Sequence, residues 1–132
     1  MPYPAGGRLA GKGEGMVPNG EGDGLAIIWS SGDAEVALKV CFMYALNAKV
    51  HGWFDEVVLV IWGPSARVAS GDAMVQRELA SLKRAGVLVQ ACKECADSYG
   101  LSTKLEALSV EVKYMGLPLK EMLHGGWKVL TF

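Results

Sequence analysis

Residues 56–65 run Glu56-Val57-Val58-Leu59-Val60-Ile61-Trp62-Gly63-Pro64-Ser65. Five aliphatic side chains follow one another here with no polar residue between them. A strand covered on one face alternates apolar and polar residues, whereas an uninterrupted run of this length is typical of a strand buried on both faces of a parallel sheet. Glycine and proline then end the strand. The segment therefore predicts a central parallel strand followed by a loop.

Similar short apolar segments recur on both sides of this run. Five strands are predicted, at residues 25–30, 56–62, 87–91, 110–114 and 127–132. Helices are predicted between them, at residues 33–50, 72–84, 92–99, 103–108 and 118–123. Strands that alternate with helices, over connections too long for hairpins, predict an open α/β sheet with right-handed crossovers and helices on both faces.

The chain of 132 residues is long enough for one domain, and its composition is 51% apolar and 20% charged. Residues 1–24 contain eight glycines and three prolines. We expect this part to be a glycine-rich leader or arm. The folded domain is therefore predicted at residues 25–132.

Composition also excludes several classes of protein. The net charge is −1 and no basic run is present, so we expect no nucleic-acid partner. No apolar run reaches the length of a membrane helix, and no apolar signal segment precedes Leu25. Three cysteines, an odd number, do not form a disulfide scaffold. A reducing, cytoplasmic location is the interpretation that fits these features.

The sequence Cys92-Lys93-Glu94-Cys95 carries the sharpest chemical signal. It follows a predicted strand and opens a predicted helix, so free backbone N–H groups at residues 93–95 favour the thiolate form of Cys92. A second thiol three residues later lies on the same helix face and can attack a disulfide or persulfide on the first. Lys93 favours the thiolate, whereas Glu94 and Asp97 oppose it, and the sequence leaves this balance open.

In open α/β sheets, ligands bind at the carboxyl ends of the strands. We therefore expect several strand-end residues to share one edge with Cys92 and to line a pocket: Ser30, Gly63, Pro64, Ser65, Lys93, Met115 and Gly116.

Other interpretations of the thiols remain open. Cys92 and Cys95 also fit a buried corner between strand and helix, where they would fill space. Cys41 lies among apolar residues and is predicted to be core, and His124 has no ligand spacing to the cysteines, so no metal site is expected. The thiol chemistry requires no cofactor.

The predicted helix at residues 33–50 is apolar nearly all round, which requires cover on two sides. The sheet covers one side. Another subunit is the interpretation we favour for the other, and the C-terminal helix or the leader is the alternative.

The sequence resembles the DsrE/DsrF-like proteins in several segments. These are Val87-Leu88-Val89-Gln90-Ala91-Cys92, Cys95-Ala96, Tyr99-Gly100-Leu101, Val110-Glu111-Val112-Lys113-Tyr114-Met115 and Gly126-Trp127-Lys128-Val129-Leu130-Thr131. The resemblance covers residues 25–132. It implies a three-layer α/β/α sandwich on an open, mainly parallel five-stranded sheet, and it implies homotrimers or hexamers.

The resemblance also implies a chemical role for Cys92. In the sulfur-relay members, a cysteine after the third strand accepts sulfane sulfur as a persulfide and hands it on between a donor and an acceptor protein. Cys92 matches that position, whereas Cys95 departs from the single-cysteine pattern.

Three functional hypotheses follow from these residues. The first is a sulfur-handling protein in which Cys92 accepts sulfur and Cys95 resolves or modulates it. The second is an oligomeric module that binds a small ligand or partner and does not use its thiols. The third is a thiol–disulfide oxidoreductase that uses the Cys-x-x-Cys pair.

Overall fold

The computed structural model describes residues 23–132, in which five parallel strands form one sheet. The strands are β1 (Gly24–Trp29), β2 (Glu56–Ile61), β3 (Leu88–Cys92), β4 (Glu111–Lys113) and β5 (Lys128–Thr131). Their order across the sheet is β4-β3-β2-β1-β5, and every neighbouring pair is parallel. The α/β fold predicted from the alternating pattern is thereby confirmed.

Six helical elements connect the strands. They are α1 (Ala34–Val36, a π-helical section Ala37–Cys41, and Phe42–Val50), α2 (Ser65–Gly71), α3 (Ala73–Ala85), α4 (Lys93–Ser98), α5 (Ser102–Ala107) and α6 (Gly116–His124).

The strand order determines which face of the sheet each helix covers. The first three crossovers all step in the same direction, from β1 to β4, so right-handed connections place α1 to α5 on one face. The last crossover returns from β4 at one edge to β5 at the other, which places α6 on the opposite face. Two separate apolar cores agree with this arrangement, a large one with α1 to α5 and a smaller one with α6.

The central strands contribute to both cores, as the uninterrupted apolar run at residues 57–61 predicts. In β2, Val57, Leu59 and Ile61 belong to the larger core. Val58 and Val60 point to the smaller one. Burial of a side chain of this size stabilises the folded state by about 1.5–3 kcal/mol relative to an exposed one. Because the side chains of β2 are buried on both faces of the sheet, this strand stabilises both layers.

The structure differs from the prediction after β2, where a helix follows almost at once. The glycine and proline after β2 predicted a loop at Ser65 and a helix from residue 72, but α2 occupies Ser65–Gly71. Pro64 already has helical dihedral angles, and the small side chains of Ala66 and Ala69 are buried against the sheet. Small residues carry little apolar periodicity, so this short helix gave no signal.

Asp33 caps α1 as predicted, because its carboxylate accepts a hydrogen bond of 2.8 Å from the Glu35 N–H. The π-helical section was not predicted, since a wide turn has no clear signature in residue type. The outer side of α1 remains exposed. We call this surface the α1 stripe, and its members are Val40, Met43, Tyr44 and Val50.

The structure excludes one of the covers suggested for the α1 stripe. The C-terminal helix, α6, packs in the smaller core on the opposite face of the sheet and therefore does not cover the stripe. The predicted leader, residues 1–24, lies almost entirely outside the described residues, and Gly24 already belongs to β1. Among residues 23–132, no helix is long and apolar enough to cross a membrane.

Candidate functional site

A pocket of ≈ 550 Å³ opens between the carboxyl ends of β3 and β4. The chain leaves β3 into α4 on one face and leaves β4 into α6 on the other, so the two connections diverge here. Such a switch point forms a crevice where ligands bind in open α/β sheets. The pocket is lined by Trp62, Cys92, Glu94, Cys95, Ser98, Tyr114, Met115, Gly116 and Leu117.

Cys92 and Cys95 lie together in the wall of this pocket. Cys92 is the last residue of β3 and the N-cap of α4, with extended backbone angles, and Cys95 follows within the first turn of α4. Cys92 is 6% exposed and Cys95 is half-buried, and both are free thiols. The pocket therefore gives access to both sulfurs.

The two thiols interact with each other and with the loop after β2. Burial raises the pKa of Cys95, and a hydrogen bond to Cys92 raises it further, whereas a hydrogen bond with the Gly63 backbone acts in the opposite sense. Both dominant causes favour the neutral form of Cys95, in which the thiol can donate a hydrogen bond to the Cys92 sulfur. The Cys92 side chain makes no capping hydrogen bond to α4. The partner that the structure shows for the Cys92 side chain is therefore the Cys95 thiol, and stabilisation of a Cys92 thiolate by the backbone N–H groups stays a prediction.

Five of the residues predicted from sequence lie in or against this pocket. Met115 and Gly116 line it together with the cysteines. Gly63 contacts Cys95 through its backbone.

Lys93 lies beside the pocket and does not line it. Its Nζ is 2.9 Å from Asp97 Oδ2 and 5.8 Å from the centre of the Tyr114 ring. Asp97 raises the pKa of Lys93 through a hydrogen bond and its charge, and in turn the pKa of Asp97 is lowered by hydrogen bonds from Ser102 and Lys93. The ammonium group is therefore directed to Asp97 and not to the thiols.

The structure places Ser30, Pro64 and Ser65 at the same sheet edge but away from the pocket lining. Ser30 donates to the carbonyl oxygen of Phe132 beyond β5. Pro64 lines a different pocket, on the side of α1. Ser65 is fully buried. Its hydroxyl group donates a hydrogen bond to the carbonyl oxygen of Trp29, after which β1 ends, and accepts one from the Trp62 N–H after β2.

Five lining residues were not predicted from sequence: Trp62, Glu94, Ser98, Tyr114 and Leu117. Trp62 and Tyr114 directly follow β2 and β4, so the rule that selected the other strand ends also applies to them. Ser98 lies one helical turn beyond Cys95. Leu117 had no signal in the sequence, because its position depends on where α6 begins.

The remaining candidates take no part in this site. Cys41 is fully buried, as predicted, and burial raises its pKa to about 12. His124 is exposed at the end of α6. Within residues 23–132, no three side chains of histidine, cysteine, aspartate or glutamate gather so as to hold a metal ion.

Comparisons with known proteins agree with this architecture. A conserved protein of unknown function from Bacteroides thetaiotaomicron is 33% identical and has a TM-score of 0.79, over 83% of this chain and 95% of that one. The ychN protein from E. coli has a TM-score of 0.64 at 19% identity, over 84% and 99% of the two chains, and shares the fold. A search of the curated proteins finds no match.

The family comparison covers the whole of the described chain. The model of the DsrE/DsrF-like family matches residues 23–132, which include every strand of the sheet and both pocket cysteines. The chain therefore belongs to the DsrE/DsrF-like family.

Proposed function

We propose that this protein accepts sulfane sulfur on Cys92 and passes it to a thiol acceptor. The observation that carries the proposal is the pair of free thiols in the wall of a pocket at the switch point of the sheet. Thiols that only filled a corner would be sealed from solvent, whereas Cys95 is half-buried and both sulfurs border open space. Membership of the DsrE/DsrF-like family supports the same chemistry.

The transfer consists of two displacements at sulfur. The Cys92 thiolate attacks the outer sulfur of an organic persulfide, R–S–SH, so that a Cys92 S–S bond forms and the donor leaves as its thiol. The thiolate of an acceptor then attacks the outer sulfur on Cys92 and restores the Cys92 thiolate. The oxidation level of the transferred sulfur is unchanged, so no cofactor takes part.

Cys95 makes a second reaction of the Cys92 persulfide possible. Burial and the contact with Cys92 raise the pKa of its thiol, which favours the protonated form. In that form it donates a hydrogen bond to sulfur on Cys92. Once deprotonated, it attacks the Cys92 sulfur, forms a Cys92–Cys95 disulfide and releases hydrogen sulfide. Two molecules of an external thiol then reduce the disulfide, leave as their own disulfide and complete the cycle.

The proposed protein works with other chains. A donor and an acceptor of sulfur are required by the chemistry, and a reducing compartment such as the cytoplasm keeps the thiols free. We include self-association in the proposal, as a homotrimer or hexamer. The α1 stripe supports it, because this apolar surface has no cover within residues 23–132 and two copies present identical, uncharged faces to each other.

Intact-mass analysis after incubation with an organic persulfide tests the proposal. We expect the native protein to gain the mass of one sulfur atom on Cys92, and Cys95→Ser to accumulate this adduct because the resolving thiol is gone. Cys92→Ser should gain nothing. Equal labelling of the native protein and Cys92→Ser would contradict the proposal.

The same samples distinguish sulfur transfer from a second candidate function, that of a thiol–disulfide oxidoreductase. The two free cysteines favour this candidate, because many dithiol enzymes have a Cys-x-x-Cys pair at the start of a helix. If this candidate is correct, the Cys92–Cys95 disulfide forms with a disulfide reagent while no persulfide forms in Cys95→Ser.

A further inference from the structure

Among the described residues that line the pocket, Glu94 is the only one with a carboxylate, ammonium or guanidinium side chain. Its side chain is exposed on the first turn of α4, between the two cysteines in sequence. The other lining residues are two thiols, a hydroxyl group, a glycine and four large apolar or aromatic side chains. A small anion that approaches the sulfurs therefore meets a carboxylate.

The lysine beside the pocket is paired with another carboxylate. Lys93 forms an ion pair of 2.9 Å with Asp97, and Asp97 also accepts a hydrogen bond from Ser102 at the start of α5. The ring of Tyr114 lies below the same ammonium group. These contacts hold Lys93 beside the pocket and pair its charge with a second carboxylate.

The walls of the pocket fit an organic molecule better than an inorganic ion. Tyr114 and Leu117 are 62% and 60% exposed at the entrance, and Trp62 and Met115 continue the apolar lining inward. A volume of ≈ 550 Å³ exceeds what a sulfur oxyanion or a short polysulfide fills. Apolar surface of this kind contributes binding free energy only to carbon-rich groups.

We propose that Glu94 and the Lys93–Asp97 pair select the sulfur donor by charge, so that the site takes organic persulfides in the neutral R–S–SH form that a thiolate attacks and discriminates against thiosulfate and inorganic polysulfide. This inference rests on the proposed function for the identity of the reaction. The charge selection itself belongs to the pocket and applies to any reagent that reaches its thiols.

Two alkylating reagents of nearly equal size test the selection. Iodoacetamide is neutral and iodoacetate is an anion, and both label thiols without any sulfur transfer. The rate of each is measured at Cys92 and Cys95 by mass spectrometry of the digested protein, and the iodoacetate-to-iodoacetamide ratio is divided by that of the unfolded chain. We expect a normalised ratio about threefold below one at low ionic strength, rising toward one in high salt because exposed charges are screened.

The variants identify the groups responsible. Glu94→Gln removes the carboxylate, and Asp97→Asn releases Lys93 while its amide oxygen still accepts from Ser102. Both should raise the normalised ratio about threefold. Glu78→Gln, on the exposed side of α3, changes the net charge equally and should leave the ratio unchanged.

Three results would overturn the charge selection. They are a normalised ratio of one or more in the native protein, no change in Glu94→Gln, and an equal change in Glu78→Gln. A ratio above one would assign control to the positive helix ends at α4 and α6. Because alkylation needs no sulfur donor, these results are independent of whether a persulfide forms on Cys92. Conversely, failure of the persulfide assay leaves the alkylation ratio intact.

Discussion

Ser65 shows how one buried hydroxyl group joins two strand ends beside the pocket. Its Oγ donates to the carbonyl oxygen of Trp29 after β1 and accepts a hydrogen bond of 3.1 Å from the Trp62 N–H after β2. Both bonds lie at the carboxyl edge of the sheet, and the residue is 0% exposed. The hydroxyl group therefore takes part in the structure that supports Trp62 in the pocket wall.

Replacing Ser65 by alanine removes both of these bonds, while the Trp62 N–H still donates a hydrogen bond of 3.0 Å to the Trp29 carbonyl oxygen. Because neither group loses its last partner, we expect Ser65→Ala to lower the free energy of unfolding by about 0.5–1.5 kcal/mol. The measurement is urea denaturation, with the midpoint lowered and the m-value unchanged. Ser70→Ala, in the same helix, is the matched control, since Ser70 bonds only to carbonyls of its own helix. Equal effects of the two substitutions would contradict the prediction.

Because Cys41 is buried, we expect the protein to lose stability as the pH rises in the alkaline range. Burial raises its pKa from 9.0 to about 12, so above pH 9 the unfolded chain releases a proton that the folded chain retains. The stabilising contribution is complete below pH 9 and is lost as the pH rises toward 12. We expect the free energy of unfolding to fall by up to about 1.4 kcal/mol per pH unit in this window from this group.

Denaturation between pH 8 and pH 10.5 in native protein and Cys41→Ala measures this slope. The variant should be less stable at pH 8 because of the lost packing, yet its stability should fall less steeply above pH 9. Parallel slopes in the two proteins would show that another group controls the alkaline transition.

At the scale of elements, Trp127 and β1 close the smaller core. Trp127 precedes β5 and is buried with Met122 of α6. Its ring occupies the space above Gly24, where a Cβ atom would overlap the ring carbons. The return of the chain from α6 to the far edge of the sheet therefore requires glycine at this position.

Gly24→Ala should force the indole ring out of its position. We expect a loss of about 1–3 kcal/mol in the free energy of unfolding, which is typical of an overpacked core. The change in Trp fluorescence of the folded state reports the displaced ring. In Gly71→Ala, the control, the new methyl group at the end of α2 meets nothing within 4 Å. That substitution should be neutral or stabilising, and comparable losses in both variants would refute the role of the close contact.

At the scale of the whole molecule, the helices cover the two faces of the sheet unevenly. Five helices pack on one face of the sheet, and α6 alone packs on the other. The α1 stripe nevertheless lies on the side with more helices, and Met43 and Val50 in it are 52% and 60% exposed. Exposed apolar residues that recur at helical spacing mark a contact surface.

Met43→Glu should reduce self-association, because a charge placed in an apolar contact between two copies loses its hydration. Light scattering after size exclusion, over a range of protein concentrations, gives the molar mass. Met74→Glu is the control, since Met74 is equally exposed on α3 outside the stripe. A chain that is monomeric at all concentrations, or that responds equally to both substitutions, would contradict the proposed self-association.

Much of the fold was predictable because its signals are local. The apolar run at residues 57–61, the capping residue Asp33 and the glycine that follows α3 each act within a few positions of the chain. The Cys-x-x-Cys sequence likewise identified the thiol pair and its place between β3 and α4. Helix α2 and the π-helical section of α1 escaped prediction, since their residues form these turns only when packed against the sheet.

Amino-acid order alone determined the alternation of strands and helices, the burial of the central strands and the spacing of the two thiols, because these depend on neighbours in the chain. Only the tertiary structure decided which side chains surround the sulfurs. Strand β3 lies between β2 and β4, so Trp62 and Tyr114, distant in the chain, flank the cysteines, while Ser65 turns inward between two strand ends. Strand order and the direction of each crossover depend on packing across the whole sheet, and a local pattern does not encode them.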